Sequence, residues 1–169
     1  RLLLTGGAGF IGSHTCLSLL EQGYEVIVVD SFINSSKKSL KRVLDILTIE
    51  GKDYANRLDI EEVDLRDIEG LNNVFENAYK FGKKIDAVIH FAGLKSVSDS
   101  ISKPLNYWDV NVGGTINLLK IMKKFDCKSI VFSSSATIYD PEGSDMIDEN
   151  NKISPINPYG NTKYNIEKI

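Results

Sequence analysis

The chain has 169 residues, 42% of them hydrophobic and 25% charged, with a formal net charge of −3. That length and balance describe a folded globular domain with a sizeable core, and the mild acidity excludes the basic groove that a nucleic-acid partner requires. The two cysteines, Cys16 and Cys127, lie far from any zinc-like ligand spacing and read as reduced thiols of a cytoplasmic protein without a metal, and no apolar run is long enough to span a bilayer.

The chain opens inside a strand, with Leu2-Leu3-Leu4 as a buried apolar run. Residues 11–22 have helical periodicity, closed by Gly23. Val26-Ile27-Val28-Val29 is a second buried strand. A polar segment around Asn34-Ser35-Ser36 leads into a helix over 38–50, whose apolar face is Leu40, Val43, Leu44 and Leu47. Residues 58–63 alternate as a third, shorter strand. A helix over 68–81 precedes a fourth strand at Ala87-Val88-Ile89. Pro104 suits the first turn of one long helix running to about Phe125. Residues 129–133 form the fifth strand. A long loop over 140–157 follows, and a last helix starts near Pro158 and still runs at Ile169. Continuously apolar strands alternating with helices predict a parallel sheet covered on both faces. Right-handed crossovers then give a doubly wound α/β sheet in the order 3-2-1-4-5.

The segment Thr5-Gly6-Gly7-Ala8-Gly9-Phe10-Ile11-Gly12 lies between the first strand and the first helix. Gly7, Gly9 and Gly12 fit G-x-G-x-x-G, and Gly6, Gly9 and Gly12 fit G-x-x-G-x-x-G. Glycine is needed there because a side chain would keep the backbone away from a pyrophosphate, and the helix N-terminus offers free N–H groups to that anion. Asp30 ends the second strand 18 residues after Gly12, where its carboxylate accepts from adenosine ribose hydroxyls and repels a 2′-phosphate. This points to NAD rather than NADP, with Ser31 and Asn34 as further ribose contacts. Asp64-Leu65 has two readings of equal weight: a carboxylate and backbone N–H holding adenine, or an Asp capping the helix that begins near Ile68.

Tyr159-Gly160-Asn161-Thr162-Lys163 is Tyr-x-x-x-Lys, which puts phenol and ammonium on one helix face. A free tyrosine titrates near pH ~10, so work as a base at neutral pH needs a shift of about three units, roughly 4 kcal/mol. A nearby lysine and a cationic nicotinamide can supply it together. Ser133-Ser134-Ser135-Ala136-Thr137 ends the fifth strand, where active-site groups of an open α/β sheet gather. A hydroxyl there can bond the reacting substrate oxygen and help pass its proton to Tyr159.

With these motifs, His90-Phe91-Ala92-Gly93-Leu94-Lys95, Phe132-Ser133-Ser134-Ser135-Ala136-Thr137 and Asn157-Pro158-Tyr159-Gly160 together resemble the UDP-galactose (UDP-glucose) 4-epimerases, among the extended short-chain dehydrogenases. The resemblance runs essentially the full length of the chain. It implies that Tyr159 is the base, that Lys163 holds the nicotinamide ribose and tunes Tyr159, and that Ser135 contacts the sugar 4-hydroxyl with support from Thr137. Taken with the readings above, the expected NAD site comprises Gly6, Gly7, Gly9, Phe10, Ile11, Gly12, Asp30, Ser31, Asn34, Ser35, Asp64, Leu65, Phe91, Ala92, Gly93, Lys95, Asn111, Ser133, Tyr159 and Lys163, with Asn111 implied by the resemblance to hydrogen-bond near the catalytic helix. The implied reaction is a transient oxidation at C4 of a UDP-sugar, with the 4-keto sugar reduced on its opposite face, in a homodimeric enzyme. The family also has a C-terminal substrate domain and further strands, so 1–169 is expected to be an incomplete NAD-binding domain, inactive alone, with the catalytic helix from about 158. Asp140 departs from the glycine usual after Tyr139.

Rival readings are a nucleotide-sugar 4,6-dehydratase, a UDP-N-acetylhexosamine 4-epimerase and a non-catalytic NAD-binding module. A dehydratase needs an extra acid–base pair after the strand-end hydroxyl, where this chain has Ala136 and Thr137. A binding module has no need of Tyr159, Lys163 and a strand-end hydroxyl together.

Overall fold

The computed structural model describes residues 1–49, 54–140 and 146–169. Five parallel strands, β1 (Leu2–Thr5), β2 (Val26–Asp30), β3 (Leu58–Glu62), β4 (Ala87–His90) and β5 (Ser129–Phe132), form one sheet in the order β3-β2-β1-β4-β5. The described residues divide into two compact units: Arg1–Ala92 with Asn117–Ser133, and Gly93–Ile116 with Ser134–Ile169.

The first unit holds the sheet. Side chains alternate across a strand, so β1 and β2 feed two apolar layers. Leu3, Ile27 and Val29 pack with Val88 against α3 (Ile68–Lys80) and α6 (Gly114–Lys124) through Leu71, Phe75, Leu118 and Met122. Leu4, Val26 and Val28 pack on the other side against α1 (Phe10–Glu21) and α2 (Lys37–Ile49) through Cys16, Leu20, Leu40 and Leu47. All five residues of β2 are buried, as a central strand covered twice requires. The outer strands are less covered: β3 buries only Leu58 among its five residues, and Ile130 and Val131 of β5 are exposed.

The second unit is helical. α4 (Val97–Ser102) and α5 (Pro104–Tyr107) lead into a wide π-helical turn, Trp108–Gly113, before α6 begins. A short 3₁₀ turn, Ala136–Ile138, follows β5, and α7 (Pro158–Lys168) closes the described chain.

Several expectations need correction. The long helix expected from Pro104 to about Phe125 is helical from Pro104 to Lys124 but contains the π turn, and α4 precedes it unforeseen, its first turn capped by Ser96 accepting from the Asp99 N–H. Glu50, the expected end of α2, lies outside the described residues, as do residues 141–145 of the expected loop. The rest of that loop is partly paired: Tyr139 and Ile153 form an antiparallel bridge, the Asp140 N–H donates to the Lys152 carbonyl at 2.8 Å, and the two side chains form an ion pair at 3.5 Å. Asp140 thus makes contacts a glycine could not.

Candidate active site

In the first unit, the turn after β1 is pinned before any ligand arrives. Gly6 has φ +67, and a Cβ on it would lie 2.7 Å from the Ala92 nitrogen; on Gly12 it would lie 2.3 Å from the Gly6 carbonyl oxygen. Those two glycines are demanded by the fold itself. Gly9 differs: among the described residues its Cβ would approach only the Gly6 oxygen, at 3.2 Å. Gly9 is the N-cap of α1, and no side chain caps that helix. The N–H groups of the first turn, from Phe10 to Gly12, therefore have no helical acceptors. A bare residue at an uncapped helix start leaves room for a pyrophosphate beside orphan donors, and the residues present fit a dinucleotide.

Asp30 is buried and fastens this turn. One carboxylate oxygen accepts from the Ala8 N–H at 3.0 Å; the other accepts from the Phe32 N–H at 2.9 Å and the Ser35 hydroxyl at 2.7 Å. A carboxylate has about four acceptor positions, so these bonds leave one for a ribose hydroxyl. Ser35, expected at the cofactor, is engaged with Asp30. Ser31 is half-buried and Asn34 exposed beside it. Ser39, absent from the sequence reading, donates to the Ala8 carbonyl at 2.7 Å and ties α2 to the glycine turn. Thr5 was also missed as a positioning group. Its hydroxyl shares a 2.6 Å hydrogen bond with His90 and accepts from the Ala92 N–H at 3.3 Å, fixing the exit of β4 where Phe91 and Ala92 stand.

The Asp64-Leu65 alternatives separate. Asp67, not Asp64, caps α3, accepting from the Gly70 N–H at 2.9 Å. Asp64 pairs with Arg66 at 2.7 Å, and hydrogen bonds from Arg66 hold its carboxyl below the usual carboxylate range. Leu65 is a core residue.

In the second unit, the Ser135 and Thr137 hydroxyls are hydrogen-bonded at 2.9 Å across the start of the 3₁₀ turn. α7 begins at Pro158, with Asn157 accepting from the Gly160 N–H at 2.8 Å. A Cβ on Gly160 would stand 2.5 Å from the Thr137 carbonyl oxygen, so α7 packs backbone to backbone against the turn that carries Ser135 and Thr137. Tyr159 and Lys163 are both buried, one helical turn apart, and burial pushes the Lys163 ammonium down to about 8. It remains a cation at neutral pH. The Tyr107 ring meets the Tyr159 ring edge-on at 6.5 Å. The Ser134 hydroxyl is buried with no partner among the described residues. Asn111, in the π turn, is buried; Gly93 is half-buried and Lys95 exposed.

The sheet order, the uncapped glycine turn and the Tyr-x-x-x-Lys helix define a Rossmann-type protein of the short-chain dehydrogenase class. The chain belongs to the GDP-mannose 4,6 dehydratase family, whose model matches residues 3–169. Among curated proteins it is similar to UDP-glucose 4-epimerase 2 of Arabidopsis thaliana, 49% identical over 99% of this chain and 45% of the relative. It is also similar to UDP-glucose 4-epimerase of Bacillus subtilis (strain 168), 46% identical over 99% of this chain and 46% of the relative. Of solved structures, UDP-glucose 4-epimerase from Bifidobacterium longum in complex with NAD+ and UDP matches with a TM-score of 0.86 and 43% identity, over 99% of this chain and 47% of that one. The chain therefore spans a little under half the length of these relatives. No helix among the described residues is long and apolar enough to cross a membrane.

Proposed function

We propose that this chain supplies the NAD-binding and proton-transfer parts of a UDP-glucose 4-epimerase. The observation that carries the proposal is the buried Tyr159–Lys163 pair on α7, seated through Gly160 on the turn that bears the Ser135–Thr137 hydroxyl pair. Bound NAD would supply a reversible hydride acceptor. The chain's own residues do the rest. Tyr159 takes the proton of the sugar 4-hydroxyl and returns it after the 4-keto sugar has turned over. Lys163 supports the phenolate electrostatically and reaches the nicotinamide ribose. Ser135 orients the reacting oxygen, and Thr137 fixes the Ser135 hydroxyl. The glycine turn from Gly6 to Gly12 holds the pyrophosphate, Asp30 selects adenosine without a 2′-phosphate, and Ser31 and Asn34 are further ribose contacts. Phe91, Ala92, Gly93, Lys95 and Ser133 are proposed to line the cofactor, with Asp64 and Leu65 at its adenine.

The proposed domain plan is a cofactor domain over 1–169 followed, in the additional length the relatives have, by a domain that grips UDP. The whole enzyme is proposed to work in the cytoplasm as a homodimer, and exposed Ile101 and Leu105 support a second copy as partner. A 4,6-dehydratase, the activity in the family's name, is disfavoured by Ala136 and Thr137, which bring no carboxylate to the place after Ser135. Acceptance of N-acetylated UDP-sugars is a narrower variant of the same reaction.

The test is the Tyr159→Phe variant of the protein carrying this chain, assayed with UDP-galactose and UDP-N-acetylgalactosamine. NAD should stay bound while turnover falls by roughly 10²–10⁴, the worth of a positioned general base. Near-normal epimerisation with NAD bound would sink the proposal.

A further inference from the structure

α7 carries both proposed chemical groups, Tyr159 and Lys163, and something must set its rotation and depth. The residue between them on the buried side is Thr162, fully buried and polar. Its hydroxyl donates to the Tyr159 carbonyl at 2.7 Å and accepts from the Asn111 side-chain amide at 3.1 Å. The same amide makes two more bonds, both to one residue. It donates to the Leu94 carbonyl at 3.0 Å, and its oxygen accepts from the Leu94 N–H at 2.8 Å. That is the pattern of a strand partner, supplied by a side chain. Both amide hydrogens of Asn111 are thus used inside the protein.

Asn111 reaches these partners from the wide turn Trp108–Gly113. π turns widen a helix locally and occur often at functional sites. A second anchor stands four residues earlier, where Tyr107 meets the Tyr159 ring edge-on.

We infer that Thr162 is a positioning residue that ties α7 to Asn111, which the family resemblance already places near the catalytic helix, and so keeps Tyr159 and Lys163 in register with the Gly93-Leu94-Lys95 segment; this rests on the epimerase reading of that site. The buried tie is stiff because each lost bond strands a polar group without water. Stiffness matters because a displacement of about 1 Å at a reacting group can cost about a hundredfold in rate. The Thr162 hydroxyl is fully buried and engaged by Tyr159 and Asn111, so it acts through its neighbours and not on substrate.

The experiment compares Thr162→Val, which keeps the shape and removes the hydroxyl, with Thr162→Ser, which restores it. Both are assayed in the protein carrying this chain, with rates normalised to bound NAD. Thr162→Val should lower kcat by about ten- to a hundredfold, with KM within about twofold of the parent if positioning alone is lost. Thr162→Ser should recover most of the rate. Hydrogen exchange read at Leu94 and over 159–163 should rise in the valine variant and return in the serine one. Unchanged kcat per bound NAD, or equal loss in both variants, overturns the inference. If the parent shows no epimerisation, or Tyr159→Phe keeps it, the epimerase reading fails instead. The exchange arm then still decides the tie: equal protection in parent and Thr162→Val overturns it.

Discussion

Lys163 keeps only 5% of its surface in contact with solvent, and burial pushes its ammonium from 10.5 down to about 8. Lysine is suited to such shifts because its point charge is strongly hydrated in water. In the unfolded chain the group titrates at its ordinary value, so between about 8 and 10.5 the unfolded state holds the extra proton and stability rises with pH. Below that window both states are charged, and the folded state carries a penalty of about 3 kcal/mol. Lys163→Met should therefore raise the urea midpoint at pH 7, with the gain fading by pH 10, while cofactor retention and turnover drop. A lower midpoint at pH 7 would refute the burial cost. Tyr159, Lys163 and Asp30 were legible in the sequence as candidates because spacing and position along the strand–helix alternation single them out. Their partners were not. Asp30 gives three hydrogen-bonding positions to Ala8, Phe32 and Ser35, which no spacing rule announces. Thr162 reads in the sequence as an unremarked helix residue, since its bond to Asn111 spans 51 positions.

At the level of elements, the meeting of α7 with the turn Ala136–Ile138 depends on a missing methyl. A Cβ at Gly160 would sit 2.5 Å from a backbone oxygen, which cannot swing aside as a side chain could. Gly160→Ala should push the helix away from Ser135 and Thr137. The expected cost is about 1–3 kcal/mol of stability, typical of overpacking, together with loss of turnover beyond what the stability change explains. An alanine variant with parental rate and midpoint would show that the contact can relax. This contact of Gly160 was not legible in the sequence, because the Tyr-x-x-x-Lys motif says nothing of what the helix leans on. The π turn at Trp108–Gly113 was hidden for another reason. Val110, Val112, Ile116 and Leu119 continue an apolar pattern across it, and no proline interrupts, so periodicity alone predicts one helix. α4 was missed because six residues are too few for a periodic signal, although Ser96 with Asp99 three residues on is a capping pattern.

Across the whole molecule, the sheet order followed from chain logic: apolar strands, intervening helices and one handedness of crossover leave few arrangements. What the strands could not announce is how unequally they are covered, from fully buried β2 to β5 with Val131 64% exposed. The two apolar layers of the first unit have a consequence for experiment. Each contains one cysteine, Cys16 in the layer of α1 and α2 and Cys127 in the layer of α3 and α6, and the chain has no others. Both thiols are pushed up by burial, Cys16 to about 12, so neither offers a thiolate to a reagent while its layer stays closed. Their labelling rates count how often each side of the sheet opens. Cys16 lies one turn beyond the first turn of α1, so NAD should slow its labelling more than that of Cys127. Equal slowing would mean that the two sides open as one. The pair makes a two-channel clock, already wired into the sequence, that times the breathing of the α1–α2 side of the sheet against its opposite.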